Sequence, residues 1–120
     1  MTQFKTGFIG AGNMAEAILN AILSNKVLTA KQVAVSDISA ERLSFFQKNL
    51  NVESCDDNVS LAKSSNTILI CVKPQKIEQA LQGLKSKVTG NRLFISIAAG
   101  IKIKNLESLL PPDSRIIRVM

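Results

Sequence analysis

The chain contains no histidine, no tryptophan and no tyrosine, and only two cysteines. Each absence removes a class of chemistry. Without histidine the commonest general base is missing, so Ser-His-Asp and Cys-His catalysis are excluded within the chain. Cys55 and Cys71 form no CxxC pair, and a zinc site would lack its usual ligands, so no metal is expected. A disulfide between them is not expected in a cytosolic protein. Aromatic residues make up 4%, all phenylalanine, and no Arg/Lys stripe is interleaved with them. The net charge of +6 therefore does not read as a nucleic-acid interface but as a positive bias suited to anionic ligands. No apolar run approaches the ~20 residues that span a bilayer. Residues 1–6 are polar and lack the apolar core and small-residue cleavage site of a signal peptide. A soluble, cytoplasmic protein is the expectation.

What is present suits one domain spanning 1–120: of the 120 residues, 46% are hydrophobic, enough for a core of its own. Residues 4–9 are rich in β-formers and stop at Gly10, which predicts a strand closed by a glycine turn. From Asn13 the period changes. Ala15, Ile18, Leu19, Ile22 and Leu23 share one face of a helix, with Asn25 and Lys26 suited to its end. Residues 32–36 read as a second buried strand closed by Asp37, and Ser39 as the N-cap of a helix carrying Leu43, Phe46 and Leu50. A brief strand within 51–54 precedes a short helix with Val59, Leu61 and Ala62, capped by Asp57 or Asn58. The continuous apolar run 67–72 (TILICV) fits a strand covered on both faces, with Cys71 as a small core residue. Pro74 opens a helix whose stripe is Ile77, Ala80, Leu81, Leu84 and Val88. Residues 93–98 form another buried strand. Leu106, Leu109 and Leu110 mark a short helix stopped by Pro111-Pro112, and 115–119 a last strand. This alternation indicates a parallel sheet with helices on both faces.

Gly10-Ala11-Gly12-Asn13-Met14-Ala15 matches GxGxxA between the first predicted strand and the first predicted helix. Gly10 permits the tight turn, Gly12 lets the backbone approach a pyrophosphate, and Ala15 lets the helix lie close to the strand. The helix N-terminus offers free N–H groups and partial positive charge to the phosphates. In this position the motif predicts dinucleotide binding on a Rossmann-type, doubly wound, mainly parallel α/β sheet; the plain alternative is a glycine turn without a ligand. An acidic residue at the end of the second strand accepts hydrogen bonds from the adenosine ribose and repels a 2′-phosphate. Asp37 stands there and favours NADH, unless it only closes the turn. Ser36, Ser39 and Arg42 nearby suit a phosphate, so the cofactor, NADPH or NADH, stays open.

The blocks FIGAGNMAEAI (8–18), CVKPQ (71–75), ISIAAGI (95–101) and IIRVM (116–120) together resemble the pyrroline-5-carboxylate reductases along the whole chain. The first block is shared with other Rossmann enzymes; VKPQ combined with S-x-AAG is specific. The resemblance implies a Rossmann-type N-terminal domain followed by a helical domain that forms the dimer and much of the substrate site. The family continues Pro-Asn-Thr-Pro after the position matched by Met120, so the helical C-terminal domain is expected to be missing from these 120 residues. The resemblance also implies cofactor contacts. Ile9, Gly10, Ala11, Gly12, Asn13 and Met14 would line the pyrophosphate. Asn58 matches a cofactor-binding asparagine. Val72, Lys73 and Pro74 would lie near the ribose and nicotinamide, and Ala98, Ala99 and Gly100 close to the nicotinamide. One departure stands out: the family commonly carries a neutral or basic pair suited to NADPH where this chain has Asp37-Ile38.

The implied reaction is reduction of 1-pyrroline-5-carboxylate to L-proline with NAD(P)H, an oxidoreductase step of proline biosynthesis. By itself the chain is expected to bind cofactor and to be inactive. Lys73 is the only tempting catalytic group and is read first as a binding or solvated side chain, so no catalytic residue is assigned. Two other classes are weighed. One is a related Rossmann reductase with another substrate, including an F420-dependent one, which the VKP and AAG blocks argue against. The other is a catalytically incomplete NAD(P)-binding or interaction module. Homo-oligomers would form through the missing domain, with no nucleic-acid or membrane partner. Uncovered apolar area is expected near the final strand.

Overall fold

In the computed structural model, residues 3–89 and 91–119 are described. The strands are β1 (Phe4–Ile9), β2 (Val33–Ser36), β3 (Glu53–Ser54), β4 (Ser65–Ile70), β5 (Leu93–Ser96) and β6 (Arg115–Arg118). They form one six-stranded sheet in the order β3-β2-β1-β4-β5-β6, and every pairing is parallel. The chain runs outward from β1 through β2 to β3, then returns to β4 on the other side of β1. That reversal opens a crevice at the carboxyl ends of β1 and β4, where open α/β sheets bind ligands. Met120, the last residue of the IIRVM block, lies outside the described residues, as do Met1, Thr2 and Gly90.

Side chains alternate across each strand, which builds two cores. On one face Phe8, Val33, Val35 and Leu69 pack against Ala15 and Leu19 of α1 (Asn13–Ser24) and Phe46 of α2 (Ala40–Leu50). On the other, Ile9, Ala34, Ile68, Ile70 and Phe94 meet four shorter helices. These are α3 (Asn58–Lys63), α4 (Ile77–Leu81), α5 (Leu84–Lys87) and α6 (Ile103–Leu109). Phe8, Phe46 and Phe94 are fully buried, and removing each from water contributes roughly 2–3 kcal/mol. Local chemistry sets the boundaries. Ser39 accepts a hydrogen bond from the Arg42 amide to cap α2, and Asn51 ends that helix in the left-handed region with φ 58°. Of the two candidate caps for α3 it is Asp57 that serves, accepting from the Ser60 amide at 2.7 Å.

Several expected boundaries shift. Gln32 ends a 3-10 turn (Ala30–Gln32) closed by a Thr29/Gln32 capping box, so β2 starts one residue later. The strand expected over 67–72 spans Ser65–Ile70, leaving Cys71 and Val72 in the loop beyond it. The strand expected over 93–98 stops at Ser96. The long helix expected after Pro74 is broken into a 3-10 turn (Pro74–Lys76), α4 and α5. Gln82 turns out of the helix with ψ 130° and Gly83 follows at φ 88°, a left-handed conformation that glycine adopts without Cβ strain. The apolar stripe survives the break, because Ile77, Leu81, Leu84 and Val88 are all buried. At the sheet edge, Ile117 of β6 and the adjoining Val119 stay 48% and 61% exposed, the uncovered apolar area expected there.

Gly7 was not singled out by its sequence context, yet the packing of β1 depends on its size. A Cβ there would lie 2.5 Å from Ser65 Oγ and 2.9 Å from Leu61 Cδ2. Ser65 Oγ itself donates to the Leu61 carbonyl at 2.8 Å, so it has little freedom to yield. Gly7→Ala is expected to destabilise the fold by about 1–3 kcal/mol, read as a lower midpoint in urea unfolding at unchanged slope. An unaltered midpoint would show that Leu61 and Ser65 repack without cost.

Candidate functional site

A cleft of about 250 Å³ opens at the carboxyl ends of β1, β2 and β4. The glycine turn forms its floor. Gly10 sits at φ 109°, and a Cβ there would lie 2.6 Å from the Cys71 carbonyl oxygen, so only glycine suits the turn. The strand ends are laced together: the Gly10 amide donates to the Ser36 carbonyl at 2.9 Å and the Cys71 amide to the Ile9 carbonyl at 2.8 Å. Gly12 differs. Its φ of −86° is open to any residue, and a Cβ built on it would meet no atom within 4 Å. Nothing in the protein requires glycine there. The space above it is the kind of cradle that a close-lying pyrophosphate occupies.

The amides around the turn divide into two sets. Those of Gly10 and Ala11 are used by the protein, Ala11 N–H donating to Asp37 Oδ2 at 2.6 Å. Gly12 is the N-cap of α1 and Asn13 and Met14 its first residues, and their N–H groups have no partner inside the helix. Of Ile9 through Met14, expected to line a pyrophosphate, the amides of Gly10 and Ala11 are thus already bonded within the protein, and Ala11 is fully buried. Asp37, expected at a ribose or as a residue that closes the turn, is bonded within the protein. Besides the Ala11 contact, its Oδ1 accepts from the Ser39 amide at 2.8 Å. Arg42, expected as a phosphate ligand beside Ser36 and Ser39, is engaged as well: Nε donates to the Ala11 carbonyl at 2.6 Å and Nη2 to Glu16 Oε1 at 2.8 Å.

Among the residues named from sequence, Ile9, Gly10, Gly12, Ser36, Asp37, Asn58, Val72 and Lys73 come together around the cleft. Ser36 is buried and its Oγ donates to Asn58 Oδ1 at 2.5 Å, while Asn58 Nδ2 donates to the Ala80 carbonyl at 2.8 Å. This chain of bonds ties β2, α3 and α4 together across one wall. Pro74 opens the exposed 3-10 turn beside the cleft. Ala98, Ala99 and Gly100 follow β5 and do not line it: Ala98 is buried in the core, while Ala99 and Gly100 are exposed. Sequence reasoning missed Lys76 and Gln79 and read Ala80 only as part of an apolar stripe; all three line the cleft, as does Ile38 of the Asp37-Ile38 pair. Lys76, Gln79 and Ala80 sit at i, i+3 and i+4, a spacing that places them on one helical face.

Cys71, expected as a core residue, is half-buried and lines the cleft. Burial pushes its thiol pKa up to about 12. Cys55 is also raised, first by burial and then by the carboxylates of Asp56, Asp57 and Glu53. Neither is poised as a nucleophile. Among the described residues no group of His, Cys, Asp and Glu is placed to hold a metal ion, and no helix is long and apolar enough to cross a membrane.

The strand order, the glycine turn entering α1 and the cleft at the switch point define a Rossmann-type dinucleotide-binding domain. The sequence model of a family described as "NADP oxidoreductase coenzyme F420-dependent" matches residues 5–100. The chain belongs to that family. It is 33% identical over 120 residues to a pyrroline-5-carboxylate reductase of Methanosarcina acetivorans, covering 100% of this chain and 44% of that protein. Among solved structures, the pyrroline-5-carboxylate reductase of Coxiella burnetii superposes with TM-score 0.89 at 30% identity, covering 99% of this chain and 44% of the other. The Plasmodium falciparum pyrroline carboxylate reductase, solved with NADP bound, gives TM-score 0.82 at 27% identity, covering 100% and 43%. The resemblance read from the FIGAGNMAEAI, CVKPQ and ISIAAGI blocks thus holds. The chain spans less than half the length of these relatives.

At pH 8 Cys71 is expected to react with iodoacetamide at least tenfold more slowly than a free cysteine, because so little thiolate is present. Mass spectrometry of the alkylated chain checks this. Labelling of Cys71 at the rate of a small thiol would show that the cleft wall does not shield it.

Proposed function

We propose that residues 1–120 form the cofactor-binding domain of a cytoplasmic pyrroline-5-carboxylate reductase. In this reading the chain holds NADPH or NADH so that 1-pyrroline-5-carboxylate is reduced to L-proline. The observation that carries the reading is Gly12: a position where the fold tolerates a side chain is glycine, beside helix-terminal amides without a partner inside the helix, in a cleft at the switch point. A ligand with a phosphate bridge gives that glycine a reason.

The residues present fit the group. Gly12, Asn13 and Met14 would receive the diphosphate at the positive end of α1. Ser36, Asp37 and Ile38 would flank the adenosine ribose on one wall, with Lys76, Gln79 and Ala80 facing them. Val72, Lys73 and Pro74 would follow the cofactor toward its nicotinamide, with Ala98, Ala99 and Gly100 beyond. When bound, reduced nicotinamide supplies the hydride that the imine carbon accepts. The chain's own residues orient the ring, and the apolar side chain of Val72 excludes water beside it. Lys73 is exposed and serves as a cationic binding group rather than an acid. The substrate site and the homo-oligomer interface would come from a helical domain of the complete enzyme.

Gly12→Ala separates the ligand's requirement from the fold's. Stability is expected to change by less than about 1 kcal/mol in urea unfolding. The dissociation constants for NADH and NADPH should both rise at least about tenfold, or about 1.4 kcal/mol, in calorimetric titration. Equal affinity for glycine and alanine variants would remove the diphosphate from this site.

Substrate is tested separately. Fused to the C-terminal helical domain of the Coxiella burnetii relative, the chain is expected to form proline from 1-pyrroline-5-carboxylate and NAD(P)H. A folded fusion that binds cofactor and yields no proline would point to another imine or carbonyl substrate.

A further inference from the structure

The peptide of Ala11 is clamped on both sides. Its N–H is held by Asp37 and its C=O by Arg42 Nε, both at 2.6 Å. Arg42 is fixed in turn. Nη2 reaches Glu16 at 2.8 Å, and the guanidinium carbon lies 4.9 Å from the Phe45 ring centroid and 5.4 Å from that of Phe46. Glu16 therefore stands in the first turn of α1, at the same positive helix end that serves an anionic ligand. A bare carboxylate there would oppose a bound phosphate; paired with Arg42, its charge is offset.

The pairing works in both directions. Ser39 and Arg42 lie where a 2′-phosphate would sit if the adenosine ribose lies against Asp37. A guanidinium with a free donor fork is the group best shaped to receive that phosphate. Here the Nε/Nη2 edge of that fork is occupied, Nη2 by Glu16 and Nε by the Ala11 carbonyl. Around the ribose end of the cleft, the carboxylates of Asp37 and Glu16 stand with the guanidinium of Arg42 and, on the facing wall, the ammonium of Lys76, so the Glu16 charge cancels a cation that would otherwise favour a phosphate.

We infer that Glu16 is a specificity-determining positioning residue: by occupying Arg42 it withholds the phosphate-binding fork, and it sets the chain toward NADH over NADPH. Glu16 does not line the cleft, and it acts through Arg42 rather than by touching the cofactor. The inference rests on the cofactor reading above and deepens it. It also accounts for an arginine at a position suited to a 2′-phosphate in a chain whose adjacent Asp37 repels one.

The test is calorimetric titration of NADH and NADPH into the wild-type chain, Glu16→Gln, Arg42→Met and the double variant, with circular dichroism confirming the fold of each. Wild type is expected to bind NADH more tightly. Glu16→Gln should move the ratio of the two dissociation constants toward NADPH by roughly threefold or more. Raising the ionic strength should diminish that shift, because a phosphate contact is screened. In the Arg42→Met background the Glu16→Gln shift should largely vanish; if Arg42→Met loses the fold, Arg42→Gln serves the same comparison. A general weakening of the loop would lower both affinities together and leave the ratio alone. An unchanged ratio in Glu16→Gln, while Asp37→Ser moves it, would overturn the role of Glu16. An equal shift with and without Arg42 would show Glu16 acting by its own charge and overturn the positioning claim. Binding of neither dinucleotide by wild type is a different result: it removes the cofactor reading, and this inference with it.

Discussion

The peptide at Ala11 is the contact on which the site depends. A glycine-rich turn is entropically loose, since Gly10 and Gly12 flank a single alanine and both have wide backbone freedom. The protein restrains it from outside. Asp37, from the end of β2, takes the Ala11 N–H, and Arg42, from α2, takes the C=O. The turn is thereby indexed to the second βα unit as well as to the strand that enters it. With the Ala11 peptide held on both sides, α1 starts from a restrained turn, and the first N–H groups at its N-terminus have no partner within the helix. Preorganised donors spend less ordering entropy when a ligand arrives.

That arrangement depends on the sheet being covered on both faces. The β1 strand is central, with β2 on one side and β4 on the other, and its alternating Phe8 and Ile9 reach separate cores. Gly7 lets Leu61 of α3 lie against the strand, which brings Asn58 at the start of that helix to Ser36 and Ala80. Two neighbouring residues of β2 and its loop thus hold the two walls: Ser36 ties to α3 and α4, and Asp37 ties to the glycine turn. Carboxylate and hydroxyl here first build the cleft, and a cofactor would meet lone pairs and hydrogens already partly committed.

Much of the fold was legible before any coordinates. Strands followed by helical stripes, with a continuous apolar run at 67–72, point to parallel order because parallel strands are buried on both faces. The errors sit where local signals conflict with backbone geometry. Stripe periodicity carried the helix through Gln82 and Gly83, since Ile77, Leu81, Leu84 and Val88 keep helical spacing on either side of the break. Cys71 and Val72 look like strand by composition, yet the chain leaves the sheet after Ile70. In the site, the glycine turn and Asp37 were named from local pattern, and Asn58 and Lys73 from the family resemblance. The facing wall of Lys76, Gln79 and Ala80 was named from neither, because nothing local says that a helix after β4 faces the end of β2.

The sequence by itself determined the class of the molecule: the order of elements, the two-faced sheet, the turn that presents a helix N-terminus, and the absence of histidine-based catalysis. These follow from residue type and short-range spacing. Only the tertiary structure decided which groups are free and which are spent. Gly10, Ala11, Asp37 and Arg42 read from sequence as ligands-in-waiting; in the fold, the backbone amides of Gly10 and Ala11 and the side chains of Asp37 and Arg42 each bond to residues distant in the chain. The physical reason is that hydrogen-bond capacity is a local property, whereas its satisfaction depends on partners brought together over long sequence separations.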